Sequence, residues 1–322
     1  MLDIQFIREN PEIIKTAVKN KRLSLDVDAL LTADQDRRKL LQEIEELQSL
    51  KNDINDLIRQ AQTPEERAEV IAKGKDIKTK LDEKEPLLLA AKAKFDALMV
   101  QVPTVPSPDT PVGMSDADNV EIGTYGELPQ FAFTPKTHIE LGKDLDILDL
   151  ERGAKVSGYR GYYVKNEGVL LVMGVMLYAV QKLVSKGYIP MIPPTLVKGF
   201  PLFGSGYFKG LGYDSFIDEI YQVATHDKES DGSESKEEKF LVGTAEPSLL
   251  AYYSGEVLDG AKLPLRLAGY SQCYRSEIGS YGKDTKGMYR VHEFMKVEQV
   301  IIAPADVELA NKLQEEMIAI SE

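Results

Sequence analysis

The sequence has few of the residues that form disulfides or bind zinc. It contains one cysteine, Cys273, which excludes an intrachain disulfide, and three histidines, His138, His226 and His292, which lie far apart in the chain. None of them has the spacing of a zinc-ligand motif. Such low cysteine usage is typical of a protein from a reducing compartment, so we expect a cytoplasmic location.

Long apolar runs are also scarce. The first residues, MLDIQFIRENPEII, are charged and lack the apolar stretch of a signal peptide. The most apolar window, residues 168–184, is short for a helix that crosses a bilayer, and it lies in the middle of the chain. We therefore interpret this window as a core helix and expect no membrane partner.

Basic residues are outnumbered, and the 322-residue chain has a net charge of −13. Its length is sufficient for two domains. An acidic balance argues against a nucleic-acid partner, because contacts to phosphate dominate that affinity. The charge is unevenly distributed, however. Residues 31–98 contain thirteen Lys and Arg against fifteen Asp and Glu, so this segment is almost neutral.

Glycine and proline are nearly absent from residues 31–100, where only Gly74, Pro64 and Pro86 occur. Apolar residues recur there at intervals of three and four, in two runs separated by Thr-Pro-Glu-Glu at 63–66. The first run contains Leu40, Ile44, Leu47, Ile54 and Ile58, and the second includes Val70, Ile77, Leu81, Leu88, Phe95 and Leu98. This pattern predicts two helices that form an antiparallel coiled-coil arm, with a bend at Pro86.

Basic side chains gather near the predicted tip of this arm. They are Arg59, Arg67, Lys73, Lys75, Lys78 and Lys80. A solvated face is the commoner outcome for charged residues on a coiled coil. The alternative is a surface that binds a polyanion. Before the arm, Asn10 followed by Pro11 indicates the start of the second of two short helices.

A segment rich in proline, glycine and aspartate, QVPTVPSPDTPVGMSDADNVEIGTYGELP, follows the arm. Such composition is typical of a domain boundary. We predict an N-terminal coiled-coil domain over residues 1–104, a connection over 105–130 and a second domain over 131–322. The second domain mixes helical and strand-like stretches, so the fold class is α+β. Residues 188–194 read as an extended strand, and their prolines predict that it lies at a sheet edge or an interface.

The most informative stretch is residues 272–298, which reads as two strands joined by a loop rich in Gly, Ser, Asp and Lys. Charged residues are frequent on these strands: Arg275, Glu277, Arg290, Glu293, Lys296 and Glu298. A solvated sheet edge would explain some of them. Two arginines with several carboxylates on one hairpin favour a cleft for a ligand that carries both phosphate and amine groups.

Five stretches of the chain, in order, resemble the seryl-tRNA synthetases, which are class II aminoacyl-tRNA synthetases. Tyr-Arg-Ser-Glu at 274–277, the following loop and RVHEF at 290–294 are similar to motif 2 of that class. KGYIPMIPP at 186–194 resembles the dimer-forming motif 1, and GTAEPSLL at 243–250 resembles the serine-site loop. Residues 138–160 resemble the start of the catalytic domain, and the predicted arm resembles the tRNA-binding arm.

The resemblance implies a class II synthetase antiparallel sheet flanked by helices behind the arm. It also implies ATP-dependent attachment of L-serine to serine tRNA through seryl-adenylate, and leaves open the use of a selenocysteine tRNA. The enzyme would be a homodimer that grips tRNA with its arm. Mg²⁺ would bridge the ATP phosphates with few direct protein ligands, and no metal-binding residue is assigned to this chain.

The resemblance also implies roles for particular residues. The ATP-binding residues would be Arg275, Ser276, Glu277, Arg290, Val291 and Phe294. The serine-binding residues would be Thr244, Ala245, Glu246, Arg275 and Glu298. Arg275 would be the catalytic residue at the α-phosphate, and Glu277 would read the adenine amino group. Phe294 would stack on adenine, and Arg290 would contact the γ-phosphate.

Each of these residues has a simpler alternative. Arg275 would form a salt bridge with Glu277 on one strand face, Arg290 a surface ion pair, and Glu246 a favourable interaction with a helix dipole. Phe294 would be a core residue. The loop 278–287, with two lysines, would contact the tRNA acceptor end or remain a solvated turn.

Motif 3 of the class should follow the helix predicted at residues 306–320, and the 322 residues do not contain it. We therefore expect a chain truncated before motif 3, with little independent catalysis. A non-catalytic paralogue that acts as a tRNA-binding module is the alternative, and a purely structural coiled coil leaves residues 270–300 unexplained. The archaeal zinc-dependent enzyme is disfavoured because the chain lacks a Cys/His cluster.

Overall fold

The computed structural model describes residues 2–124, 126–225, 228, 230–277 and 286–322. It divides into two compact units, Met1–Ile122 and Gly123–Glu322. Most of the loop 278–287, which was predicted to contact the tRNA acceptor end, therefore lies outside the described residues. Each unit is described separately below.

The N-terminal unit is helical, as predicted. Its α-helices are α1 (Ile4–Glu9), α2 (Pro11–Asn20), α3 (Val27–Gln60) and α4 (Pro64–Met99), and a 3₁₀ turn follows at Asp116–Asp118. The Asp26 carboxylate caps α3 by accepting from the backbone N–H of Ala29. Thr63 and Glu66 form a reciprocal capping box at the start of α4. The capping box at Thr63 and Glu66 explains why a new helix begins after a turn of only three residues.

The two long helices pack along the predicted apolar seam. Ile44, Ile54, Ile77 and Leu81 are buried between them, and four partly buried residues extend the cluster: Leu47, Ile58, Val70 and Leu88. Lys84 replaces an apolar residue of the seam and pairs with Glu43 at 2.5 Å. Helix α4 continues through the proline at position 86, which does not end it. The coiled-coil arm is therefore confirmed.

The second unit contains six α-helices and eight short strands within its described residues. The first part comprises α5 (His138–Asp144), β1 (Leu148–Asp149), α6 (Leu150–Ser157), β2 (Tyr163–Val164), α7 (Glu167–Ser185), β3 (Ile189–Met191), β4 (Leu196–Lys198) and α8 (Gly199–Gly204). The second part comprises β5 (Tyr221–Val223), β6 (Lys239–Leu241), α9 (Glu246–Ala251), a 3₁₀ turn (Gly260–Lys262), β7 (Leu265–Tyr274), β8 (Glu293–Ile302) and α10 (Val307–Ser321).

The long hairpin of β7 and β8 is the centre of this unit. The strands pair antiparallel from Leu265 opposite Ile302 to Tyr274 opposite Glu293. Strand β3 runs parallel to β7 at the sheet edge, which confirms the position predicted from its prolines. A second antiparallel sheet has the order β4-β6-β5. The backbone N–H of Tyr274 donates to the carbonyl of Val242 at 2.8 Å and joins the end of the hairpin to this second sheet.

Helix α7 corrects the core interpretation of residues 168–184. It is long and apolar enough, by length and composition alone, to cross a bilayer, yet only 11 % of its apolar window is buried within the chain. Leu170, for example, is 69 % exposed. A helix that is apolar all round must bury that surface somewhere, but periodicity cannot tell whether the covering surface belongs to the same chain. The prediction was wrong because it assumed that the surface covering this helix belongs to the same chain.

Candidate functional site

Strand β8 presents three side chains of the candidate site on one face of the hairpin. Phe294, Lys296 and Glu298 are two residues apart, so the strand pleat points them the same way. Helix α9 packs beside this face, where Ala245 and Leu249 lie so close to Gly269 that an added Cβ would sit 2.8 Å from either. Glycine at that position therefore lets the loop before α9 approach the hairpin.

Thr244, Lys296 and Glu298 form a polar cluster at the middle of this face. Thr244 is fully buried, and its hydroxyl donates to the Glu298 carboxylate. Lys296 Nζ donates to Thr244 Oγ1 at 2.9 Å and also pairs with Glu298. The structure thus brings together two predicted serine-binding residues. It adds Lys296, whose role sequence reasoning missed although the two-residue strand period places it beside Glu298.

Glu246 lies at the first position of α9, where the helix dipole favours an acidic residue. Its carboxylate accepts from the Tyr207 hydroxyl at 3.3 Å. Burial, followed by the negative charge of Glu246, raises the pKa of Tyr207 to about 12. Tyr207 is a second residue that sequence reasoning missed, because nothing in the chain before it indicates that its loop returns to α9.

Arg275 is held by four contacts at the end of the hairpin. Its backbone N–H donates to the carbonyl of His292 at 2.9 Å, and the His292 ring lies 2.9 Å from the Arg275 carbonyl. Its side-chain Nε donates to the carbonyl of Gly243 at 3.4 Å. The guanidinium lies over the ring of Phe294. The predicted phosphate and adenine residues are therefore neighbours, and Arg275 adjoins the loop that carries Thr244.

Glu277 departs from the strand geometry that its spacing suggested. Strand β7 ends at Tyr274, and Glu277 has a positive φ of 53°, so Arg275 and Glu277 do not share a strand face. The buried Glu277 carboxylate instead pairs with Arg290. The simple alternative for Arg290, an ion pair, is thus present, although its partner is the buried residue predicted to read adenine.

The remaining predicted nucleotide residues flank this pair. Val291 is buried, and the backbone N–H of Ser276 donates to the carbonyl of Glu219 at 3.4 Å. The Ser276 hydroxyl is buried and has no hydrogen-bond partner within the described residues. Within those same residues, no group of three or more His, Cys, Asp or Glu side chains could hold a metal ion.

The candidate site therefore has two chemically different ends. At one end, Arg275 lies over the ring of Phe294, a combination suited to phosphate and a flat base. At the other end, Glu298 accepts from the buried Thr244 hydroxyl, and both Glu246 and Glu298 lie near the Tyr207 hydroxyl, a combination suited to a small ammonium compound. Such an arrangement can bring an amino acid and a nucleotide together.

Two family models match the chain. One describes the seryl-tRNA synthetase N-terminal domain and matches residues 1–106. The other describes the tRNA synthetase class II core domain of the G, H, P, S and T enzymes and matches residues 221–321.

Similar whole proteins agree with these models. A serine–tRNA ligase from Borreliella burgdorferi (strain ZS7) is 38 % identical over 322 residues, which are all of this chain and 72 % of that protein. A serine–tRNA ligase from Deinococcus radiodurans has the same identity and coverage. Seryl-tRNA synthetase from Pyrococcus horikoshii complexed with ATP superposes with a TM-score of 0.79 at 34 % identity, covering 99 % of this chain and 73 % of that one. The cytoplasmic serine–tRNA ligase from Naegleria fowleri in complex with AMP gives 0.77 at 26 % identity, covering 100 % and 71 %.

Proposed function

The chain belongs to the seryl-tRNA synthetase family of class II aminoacyl-tRNA synthetases, and on that premise we propose the function of its cleft. The protein is a serine–tRNA ligase that uses ATP to attach L-serine to serine tRNA. One observation carries the proposal for the site: a single face joins Arg275 and Phe294 to Thr244, Lys296 and Glu298. A nucleotide end and an amino-acid end thereby meet at Arg275.

In the first step, a serine carboxylate oxygen attacks the α-phosphorus of ATP. A bond forms between that oxygen and phosphorus, the bond to the β-phosphate oxygen breaks, and pyrophosphate leaves. No protein nucleophile is needed, because positioning and charge neutralisation supply the catalysis. The planar fork of Arg275 can hold the serine carboxylate and an α-phosphate oxygen together, which a lysine ammonium cannot copy.

In the second step, a hydroxyl of the terminal tRNA ribose attacks the carbonyl carbon of seryl-adenylate. The new ester forms as the bond to the phosphate oxygen breaks, and AMP leaves. The hydroxyl proton passes to an oxygen of the departing phosphate group. Arg275 remains beside the departing phosphate and neutralises its charge.

The amino-acid end selects a small ammonium compound. Glu246 and Glu298 would accept hydrogen bonds from the serine ammonium, and Thr244 with Ala245 would form the wall of the pocket. Lys296 compensates Glu298 in the cluster with Thr244. A buried cation must be paired, so two carboxylates with one lysine leave one net negative charge for the ammonium.

At the nucleotide end, Phe294 would stack on adenine while Ser276 and Val291 line the pocket. Glu277 would accept from the adenine amino group, and Arg290 would contact the γ-phosphate. Mg²⁺ held by ATP would supply further positive charge to its phosphates. A metal held by the nucleotide suits the described residues, which supply phosphate-binding arginines but no cluster of metal ligands.

The coiled-coil arm would bind the body of serine tRNA. Its almost neutral charge, in a chain of net charge −13, keeps repulsion of phosphate low there. The basic residues toward its tip then supply local contacts to the RNA backbone. We assign the N-terminal tRNA-binding domain, which includes the arm, to residues 1–104, the connection to 105–130 and the catalytic domain to 131–322. The free thiol of Cys273 is consistent with the cytoplasmic location that we propose.

Helix α7 would form the centre of a homodimer interface. An apolar groove of about 520 Å³ lies between α7 and β3 and is lined by Met173, Met176, Leu177, Val180 and Ile192. Exposed apolar side chains continue along the helix. Apolar patches of this extent usually mark an association surface, and the edge strand β3 extends it.

Binding of non-hydrolysable aminoacyl-adenylate analogues tests the substrate assignment. We expect the seryl sulfamoyl-adenosine to bind at least a hundredfold more tightly than the threonyl or alanyl analogue, as measured by titration calorimetry. Serine-dependent exchange of pyrophosphate into ATP, measured here and below on a protein that also contains motif 3, should show the same preference. A preference for threonine or alanine would contradict the assignment, and absence of binding by all three would favour the alternative of a non-catalytic tRNA-binding paralogue.

A further inference from the structure

The segment between α6 and β2 brings one arginine, Arg160, against the nucleotide end of the cleft. Arg160 has a positive φ of 69°. Gly153 on α6 and Gly161 in the segment lie in such close contact that a Cβ on either would collide with the backbone of the other. On the far side, the Tyr162 hydroxyl donates to the carbonyl of Glu293 at 3.0 Å. Close packing at Gly161 and a hydrogen bond from Tyr162 therefore hold the segment that directly follows Arg160.

The Arg160 side chain is directed inward, with 4 % of its surface exposed. Its Nη1 lies 3.9 Å from Oε2 of Glu277, whose side chain is 5 % exposed. Tyr221 lies near both: burial is the largest cause of its raised pKa, Glu277 raises it further and Arg160 opposes the rise. A carboxylate this deeply buried needs a positive charge beside it to offset the cost of its burial.

The same oxygen of Glu277 also pairs with Arg290. These two cations differ in their surroundings, because the Arg290 side chain is 43 % exposed whereas Arg160 is enclosed. In the proposed function, Glu277 turns to the adenine amino group and Arg290 turns to the γ-phosphate. Their ion pair must then open, and Glu277 would lose its nearer positive charge when it is needed as a hydrogen-bond acceptor.

We propose that Arg160 is the positioning residue that keeps Glu277 oriented toward adenine when Arg290 moves to the phosphates. This inference rests on the proposed function. It adds to motif 2 a residue more than a hundred positions earlier in the chain. It also assigns the two arginines different tasks. Arg290 leaves the Glu277 carboxylate to bind the γ-phosphate, and Arg160 stays beside the carboxylate.

Discrimination between ATP and purine riboside triphosphate, which lacks the adenine amino group, tests this assignment. Titration calorimetry on the full chain measures the ratio of the two dissociation constants. A hydrogen bond to a charged group should make ATP bind about tenfold tighter or more. Glu277→Ala should abolish that preference. If it does not, the adenine role of Glu277 is wrong, and the proposed function fails at this residue independently of Arg160.

Given that reference, Arg160→Gln should lower the preference for ATP at least fivefold. Arg160→Lys, which retains the charge, should keep it within twofold. Arg152→Gln is the matched control, because Arg152 pairs with Asp149 at 2.6 Å on an exposed part of the neighbouring helix. It should change nothing. Full discrimination by Arg160→Gln would overturn the proposal.

A second measurement covers the case in which Arg160→Gln does not fold. The double variant Arg160→Gln/Glu277→Gln removes both charges and should then recover most of the lost thermal midpoint, because no uncompensated buried charge remains. Failure of the second substitution to restore folding would show that Arg160 supports the fold without compensating Glu277, and would overturn the proposal.

Discussion

The guanidinium carbon of Arg275 lies 5.2 Å from the centre of the Phe294 ring. Arg275 directly follows strand β7. Phe294 lies on the partner strand β8, where it pairs in register with Cys273. A cation over an aromatic face is stabilised by the ring quadrupole, so the arginine is held in place before any ligand arrives. The contact therefore positions a phosphate-binding group beside the proposed stacking surface for adenine.

Replacement of Arg275 by lysine should lower serine-dependent ATP–pyrophosphate exchange about 10²- to 10³-fold. Lysine keeps the charge but loses the fork that spans carboxylate and phosphate, and the loss resembles removal of one transition-state donor. Arg275→Ala should abolish exchange. Arg152→Lys, at an exposed site, serves as the control with unchanged exchange. Near-normal activity of Arg275→Lys would mean that charge alone is required.

Replacement of Thr244 by valine should raise the KM for serine about tenfold. The isosteric change removes the hydroxyl that joins Lys296 to Glu298, and a charged hydrogen-bond network left incomplete disfavours the bound ammonium. Exchange rates measured over a range of serine concentrations give this value. The KM for ATP should stay constant. An equal rise in both constants would indicate a general loss of structure.

Tyr207 should remain un-ionised up to about pH 11, because its pKa is raised to about 12. The absorbance change of phenolate formation should therefore be the same for the wild-type protein and Tyr207→Phe between pH 8 and 11. An ordinary tyrosine would produce a difference near pH 10. The stabilising contribution of the neutral phenol is complete below about pH 10 and is lost as the pH rises toward 12.

Replacement of Leu177 by lysine should convert a dimer to a monomer. The side chain is 58 % exposed in the single chain and lines the apolar groove, so a charge there would be buried without a partner in the interface. Light scattering after gel filtration measures the mass directly. Leu128→Lys, at a side chain that is 94 % exposed, is the matched control. Unchanged mass for both variants would place the interface elsewhere.

Deletion of residues 36–94 should abolish tRNA charging and leave formation of seryl-adenylate intact. The arm packs mainly along its own apolar seam, which the deletion removes as a whole. Filter-bound aminoacyl-tRNA and pyrophosphate exchange report the two steps separately. Loss of both activities would show that the arm is needed for the fold of the protein.

Much of the fold follows from local patterns. The 3–4 spacing of the arm was sufficient because neighbouring turns of a helix lie in contact, and Thr63 with Glu66 marked the end of one helix and the start of the next. The hairpin was recognisable for the same reason, since pairing in β7–β8 is between residues close in sequence. Helix α7 was misassigned because its apolar pattern carries no information about which surface covers it.

The sequence by itself determined the family and supplied the candidate residues for the two ends of the proposed site, because these lie in short contiguous motifs. Only the tertiary structure decided that Arg275 rests on Phe294, that Lys296 contacts Thr244, that Tyr207 contacts Glu246, and that Arg160 reaches Glu277. Each of these contacts joins two residues that lie between 19 and 117 positions apart in the chain. Such contacts depend on how strands and loops pack together, and no local pattern specifies that packing.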